Sequence, residues 1–192
     1  YPMGHSVSAF SVARLGGYVA QVGDANRILG RRFEHILQQM VDGIVWAQND
    51  STAAGSWYYT PNPVGGNDDL STGLWGMTGL WHADEFAREQ GVIVPNLVKT
   101  RLGDYIRTNA NNCPAGGTGG TYFTSTNGVC DFTISAGHVL ALGWVGANTF
   151  DPTDTRLAFP SYSATTRGQL RTLYDSSITF ISTVFTSDSV FG

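Results

Sequence analysis

Lysine is almost missing from this chain. Lys99 is the only one, and charged residues make up 14% of the 192 positions. The formal net charge of −4 is mild and no basic stripe runs along the chain. That excludes the electrostatic footprint of a nucleic-acid binder and gives no reason to invoke an anionic membrane. Long apolar runs are lacking too. The best, Val139 to Ala147, carries Gly143 and Gly146 and falls well short of the roughly 20 residues needed to cross a bilayer. The first residues hold no basic-then-apolar leader. A start at Tyr1 rather than Met fits a processed protein and a fragment of a longer one alike. Neither a Gly-rich phosphate loop nor a nucleophile elbow is present, which removes two widespread catalytic signatures.

Cysteine is confined to Cys113 and Cys130, in a segment rich in Gly and Thr. CxxC spacing is absent and no His lies between them, which argues against a pair of metal ligands. A disulfide closing the 18 residues from 113 to 130 inclusive is the expectation, with a gain of about 3 kcal/mol in the chain-entropy model. Together with the scarcity of lysine, it points to an extracytoplasmic setting. No cofactor is implied by these patterns.

What is present in quantity is self-similarity. Gly55-Ser56-Trp57-Tyr58-Tyr59 returns as Gly120-Thr121-Tyr122-Phe123-Thr124, a shift of 65. The same shift maps Ser6 to Phe10 and Leu15 onto Ser71 to Trp75 and Leu80. A shift of 62 carries Asp69, Gly76 and Leu80 onto Asp131, His138 and Leu142. One domain spanning 1–192 is expected, built from repeats of approximately 4–68, 69–130 and 131–192, each a helix pair followed by a loop.

Periodicity supplies the helices. Leu70, Leu74, Met77 and Trp81 fall on one helical face, interleaved with Gly73, Gly76 and Gly79. Three glycines in one helix cost about 1 kcal/mol each relative to Ala, so close helix contact must compensate. Gly91 is positioned to end that helix and Pro95 to open the next. In the first repeat Leu29, Phe33, Ile36, Met40 and Ile44 form the expected buried stripe, with Arg31, Arg32, Glu34, Gln38 and Gln39 facing water. The third repeat opens with a helix from Phe132 to Gly146. It ends with an amphipathic one from about Thr165 to Phe185, with Leu170, Leu173, Tyr174, Ile178, Ile181 and Phe185 as its buried set. The first helix of each pair carries almost no charge, so inner uncharged helices ringed by half-polar outer ones are expected.

At Gln48, Gly55-Ser56-Trp57 and Asp68-Asp69-Leu70-Ser71-Thr72-Gly73-Leu74-Trp75, the chain resembles the terpenoid cyclase and protein prenyltransferase superfamily. The resemblance covers roughly residues 4 to 146. It implies an all-α fold of three tandem helix hairpins, an arc of an α/α toroid with Gly and aromatic loops on one edge. A complete toroid of that kind has about twice as many helices, so the open ends of the arc call for a partner protein, another domain or a further copy.

The resemblance also names candidate chemistry. Triterpene cyclases protonate their substrate from an Asp-x-Asp-Asp motif, and here the matching residues are Gly66-Asn67-Asp68-Asp69. Asp68 matches the proton donor, with Asp69 as the neighbour that tunes it. Asp69 equally reads as the cap of a helix starting at Leu70, and Asp131 repeats it before Phe132. A zinc site like that of prenyltransferase β subunits would draw on Cys130, Asp131 and His138, but the local Asp-x-Cys order is reversed, and no metal is expected. His82 and Glu85, three apart, could act as a base or remain a solvated tip. Trp57, Tyr58, Tyr59 and Tyr122, with Trp75 and Trp81 on the inner helix, are the candidate ligand-binding aromatics. They serve equally to brace neighbouring helices.

A kept repeat beside incomplete catalytic motifs favours a non-catalytic structural or interaction domain of a secreted or surface-associated bacterial protein, held against a protein partner. The alternative is an isoprenoid-cyclase relative or a carbohydrate-active α/α enzyme with Asp68 as general acid.

Overall fold

The computed structural model describes residues 2–50, 55–58, 70–112, 121–123, 132–147 and 162–186. The protein is predominantly helical. Its elements are α1 (Pro2–Ala13), α2 (Phe33–Trp46), α3 (Leu70–His82), α4 (Asn96–Asn109), β1 (Ala110–Asn112), β2 (Thr121–Phe123), α5 (Phe132–Trp144) and α6 (Ala164–Thr186). Among the described residues the departures from helix in ladder form are two three-residue strands and an antiparallel bridge between Val19 and Arg32. The strands pair antiparallel, with Asn112 opposite Thr121.

The strand pair has a counterpart in the preceding loop. There Asn49 donates its backbone N–H to the Ser56 carbonyl at 2.8 Å and accepts from the Gly55 N–H at 2.8 Å. Ser56 and Thr121 are the two residues that a shift of 65 superimposes. Both loops therefore close between an Asn and the hydroxyl residue after the repeated glycine. Gly55 has φ +104°, and a Cβ there would overlap the Arg101 carbonyl oxygen. Only glycine meets both demands.

α1 lies along α3, α3 against α5, and α5 against α6, while α2 covers α1 and the flank of α3 and α4 touches α5 and α6. Glycine explains the first contact. A Cβ on Gly79 would stand 2.9 Å from the Gly4 carbonyl oxygen, and one on Gly4 would overlap the Trp75 carbonyl. The close helix contact expected from the glycine spacing is present here. One apolar cluster draws on all six helices, with Val7, Val41, Met77, Val98, Leu142 and Leu170 among its members. Before α6, the Tyr162 hydroxyl donates to the Thr100 carbonyl at 2.6 Å, with the Lys99 carbonyl at 3.2 Å. Ser163 Oγ accepts the Thr166 N–H at 3.1 Å, capping the new helix.

Three burial expectations need correction. On α2 the deeply buried line is Leu37, Val41 and Ile44. Phe33, Ile36 and Met40 are only half-buried, and Leu29 is exposed. Gly30 at φ +78° breaks the backbone before the helix, so Leu29 falls off its face. Gln38, expected in water, holds the Ile93 backbone with both ends of its amide, donating at 3.0 Å and accepting at 2.7 Å. On α6, Ile178 is exposed and Ser177 is buried in its place. The Ser177 hydroxyl is satisfied by the Leu173 carbonyl one turn back, at 2.9 Å. The uncharged first helices are also unequally enclosed: much of α1 remains in contact with solvent.

Candidate functional site

α3 does not end at His82. Its backbone widens into one π-helical turn, Ala83–Ala87, tightens into a 3₁₀ turn, Arg88–Gln90, and stops at Gly91 with φ 92°. The stop at Gly91 follows the sequence expectation. The change of helical register does not, and such turns often accompany functional positions. Here the wide turn buries Asp84 together with Ala83 and Ala87.

Asp84 is the centre of a buried charge cluster. Lys99, in the first turn of α4, is 1% exposed, and its ammonium forms an ion pair with Asp84 Oδ2. The ammonium also lies 5.4 Å from the centre of the Trp144 ring, within cation–π range. Trp144 Nε1, at the end of α5, donates to the same Oδ2 at 3.1 Å. The other oxygen, Oδ1, is held by the Arg88 guanidinium. One carboxylate thus joins the tail of α3 to α4 and α5. Burying these charges is tolerable because each has a partner of opposite sign or a directed hydrogen bond.

The arrangement suits a clamp better than a catalyst. Both Asp84 oxygens are occupied, so neither is directed at a substrate proton. Lys99 is sealed from solvent. Arg88 alone of the three reaches the surface, beside an open cleft of about 350 Å³ lined by Asp84, Arg88, Val92, Ile93, Val94, Pro95 and Asn96. Sequence reasoning passed over this cluster. Two signals were present: the solitary lysine, and an Asp84–Arg88 spacing of i, i+4.

Among the described residues, those singled out from sequence do not gather at one site. Asp68, Asp69, Tyr59, Cys113, Cys130 and Asp131 lie outside the described residues. Trp57 is a core residue: its indole packs where a Gly76 Cβ would stand, at 3.2 Å, and its Nε1 donates to the Ile44 carbonyl at 2.9 Å. That placement leaves no ring face for a ligand. Tyr58 is half-buried beside it. Trp75 is part exposed, its ring 4.0 Å from the His5 ring between centres. Trp81 is half-buried and lies 5.2 Å from the His82 ring. Tyr122 stands opposite Asn111 in the short ladder. His82 and Glu85 share no hydrogen bond among the described residues, and Glu85 faces water. Gln48 is buried and donates to the Gly55 carbonyl and the Val98 carbonyl, both at 3.1 Å. Gln48, Gly55 and Trp57 together tie the first loop to α2 and α4. Among the described residues no three His, Cys, Asp or Glu side chains are grouped so as to hold a metal ion, and no helix is long and apolar enough to cross a membrane.

His138 carries a pH consequence. It is fully buried in α5, and burial holds its pKa well below the ordinary 6.5. His82, partly buried, shifts the same way for the same reason. The unfolded chain takes up a proton near pH 6.5 that folded His138 refuses. Stability is therefore complete above that pH and falls below it, by up to about 1.4 kcal/mol per pH unit until the depressed folded pKa is reached. Urea unfolding at about pH 7.5 and about pH 5 measures the loss, and His138→Gln should reduce it. An equal loss in the variant would assign the slope to other groups.

Comparison with protein-family models, curated proteins and solved structures returns no match to this chain.

Proposed function

We propose that this chain is a non-catalytic structural and interaction domain of an extracytoplasmic bacterial protein. Its helices are set as an arc of an α/α toroid. The open end at α1 is covered by a partner protein or by a further copy.

The observation that carries the proposal is the outer side of α1. This helix has no charged residue, yet Met3 is 47% and Val12 54% exposed. An uncharged helix with apolar residues in water is what the uncapped end of a repeat array presents. Architecture also absorbs the residues that mark the repeat. Gln48 and Trp57 donate to backbone carbonyls, and both Asp84 oxygens are taken up by Arg88, Lys99 and Trp144.

Sedimentation velocity on the full chain tests the reading. Self-association, or binding of an apolar dye by the monomer, is expected, and Met3→Asp with Val12→Asp should abolish either one. A wild-type chain that stays monomeric and binds no more dye than the double variant would sink the proposal.

A further inference from the structure

The net charge of −4 conceals a strong segregation. Residues 14–32 hold Arg14, Arg27, Arg31 and Arg32 against the single acid Asp24, a net of +3, which leaves −7 on the rest of the chain. Counting Glu34, which shares Arg32 at 2.9 Å, the segment is still +2 (four arginines against Asp24 and Glu34). The same segment displays apolar side chains. Val22 is 82% and Tyr18 66% exposed, and Val19, Ile28 and Leu29 are exposed as well.

This display is built rather than loose. Every residue from Gln21 to Gly30 is exposed, so the loop lies at the surface along its whole length. Its neck is closed by backbone hydrogen bonds from Ala20 N to Arg31 O, Gly30 N to Ala20 O and Phe33 N to Tyr18 O, at 2.8 to 2.9 Å. At the tip the Asp24 carbonyl accepts the N–H groups of Arg27, Ile28 and Leu29, and Asp24 Oδ1 accepts that of Asn26 at 2.8 Å. The base is tied to the body where Gly16 donates to Gln90 Oε1 at 2.6 Å. Ordering a loop so that its apolar residues point into water is unfavourable unless something else receives them.

We infer that this loop docks the protein onto an anionic lipid surface. Val22, Ile28 and Leu29 enter the headgroup–acyl boundary, Tyr18 sits at its polar edge, and Arg27 in the loop and Arg14 at its foot meet lipid phosphates. Three observations favour a bilayer over a protein pocket. The apolar residues are on an exposed loop and not in a groove. Arginines neighbour them in the same loop, as in segments that bind anionic lipid. The acidic remainder of the chain is repelled by the same surface, which orients the loop toward it.

Co-sedimentation of the full chain with vesicles tests the inference, using phosphatidylcholine alone and a mixture of phosphatidylcholine with phosphatidylglycerol. Binding is expected on the mixed vesicles, weakening as salt rises. Arg14→Gln with Arg27→Gln should weaken it about 30-fold, at roughly one charge contribution per arginine. Val22→Asp with Leu29→Asp should weaken it about ten-fold or more. Circular dichroism checks that both pairs fold. No binding to the mixed vesicles, equal binding to the neutral ones, or binding undiminished in either pair overturns the inference. So does a concentration-dependent dimer that Val22→Asp dissolves, which would make a second copy the occupant.

Discussion

Replacing Asp84 with Ala is expected to destabilise the fold by about 3–5 kcal/mol. The change takes the Asp84 carboxylate from Lys99, an ammonium with 1% exposure, and it orphans the Trp144 indole N–H. Weakening the compensation of a buried charge costs more than the pair contributed, because desolvation was already paid against an attraction that is now gone. Asp84→Asn keeps the shape and an acceptor but not the charge, so it should also lose stability. Lys99→Met alone leaves the carboxylate with Arg88 and Trp144, and a smaller loss is expected. The double change Asp84→Asn with Lys99→Met should recover much of the damage, since removing both charges abolishes the burial penalty. Arg88 is part exposed, and Arg88→Ala should cost no more than about 1 kcal/mol, the range of solvent-screened pairs. Denaturant unfolding of the five variants measures these losses and closes the Asp84–Lys99 cycle. A loss below about 1 kcal/mol for Asp84→Ala would mean that water reaches the cluster.

Trp57→Ala should cost a comparable amount, about 3–5 kcal/mol. The indole fills the space over Gly76 between the first loop and α3, and its removal leaves a cavity there. Trp57→Phe separates the two contributions. It keeps most of the ring contact but leaves the Ile44 carbonyl without its indole donor, for about 1–3 kcal/mol. Trp75→Ala is the control, because Trp75 is part exposed and its loss leaves little cavity. If Trp57→Ala were as mild as Trp75→Ala, Trp57 would belong to a ligand-facing edge and not to the core.

Much of the helical framework was legible before any coordinates. Apolar periodicity located α2, α3, α5 and α6 to within a few residues. Gly91 and Pro95 marked the stop and restart between α3 and α4, because left-handed backbone and a missing N–H are properties of single residues. The glycines at 76 and 79 announced close contact, since their helix penalty required an offset. The helical phases were less legible. Leu37 and Val41 displaced Ile36 and Met40 at the centre of the α2 face because the neighbours α1 and α3 decide which side of a broad apolar stripe is deepest.

By itself, then, the sequence determined where most helices lie, where backbones can touch, and that Gly55-Ser56-Trp57 and Gly120-Thr121-Tyr122 mark two like loops. Each of these depends on interactions within a few residues or on the conformational range of one. Only the tertiary structure decided that the single lysine is buried on Asp84, that Trp144 completes that cluster from 60 positions away, and that an arginine-flanked loop holds Val22 and Tyr18 in water. Those outcomes depend on which distant surfaces meet and which are left uncovered, and solvent exclusion between elements far apart in the chain leaves no local pattern to read.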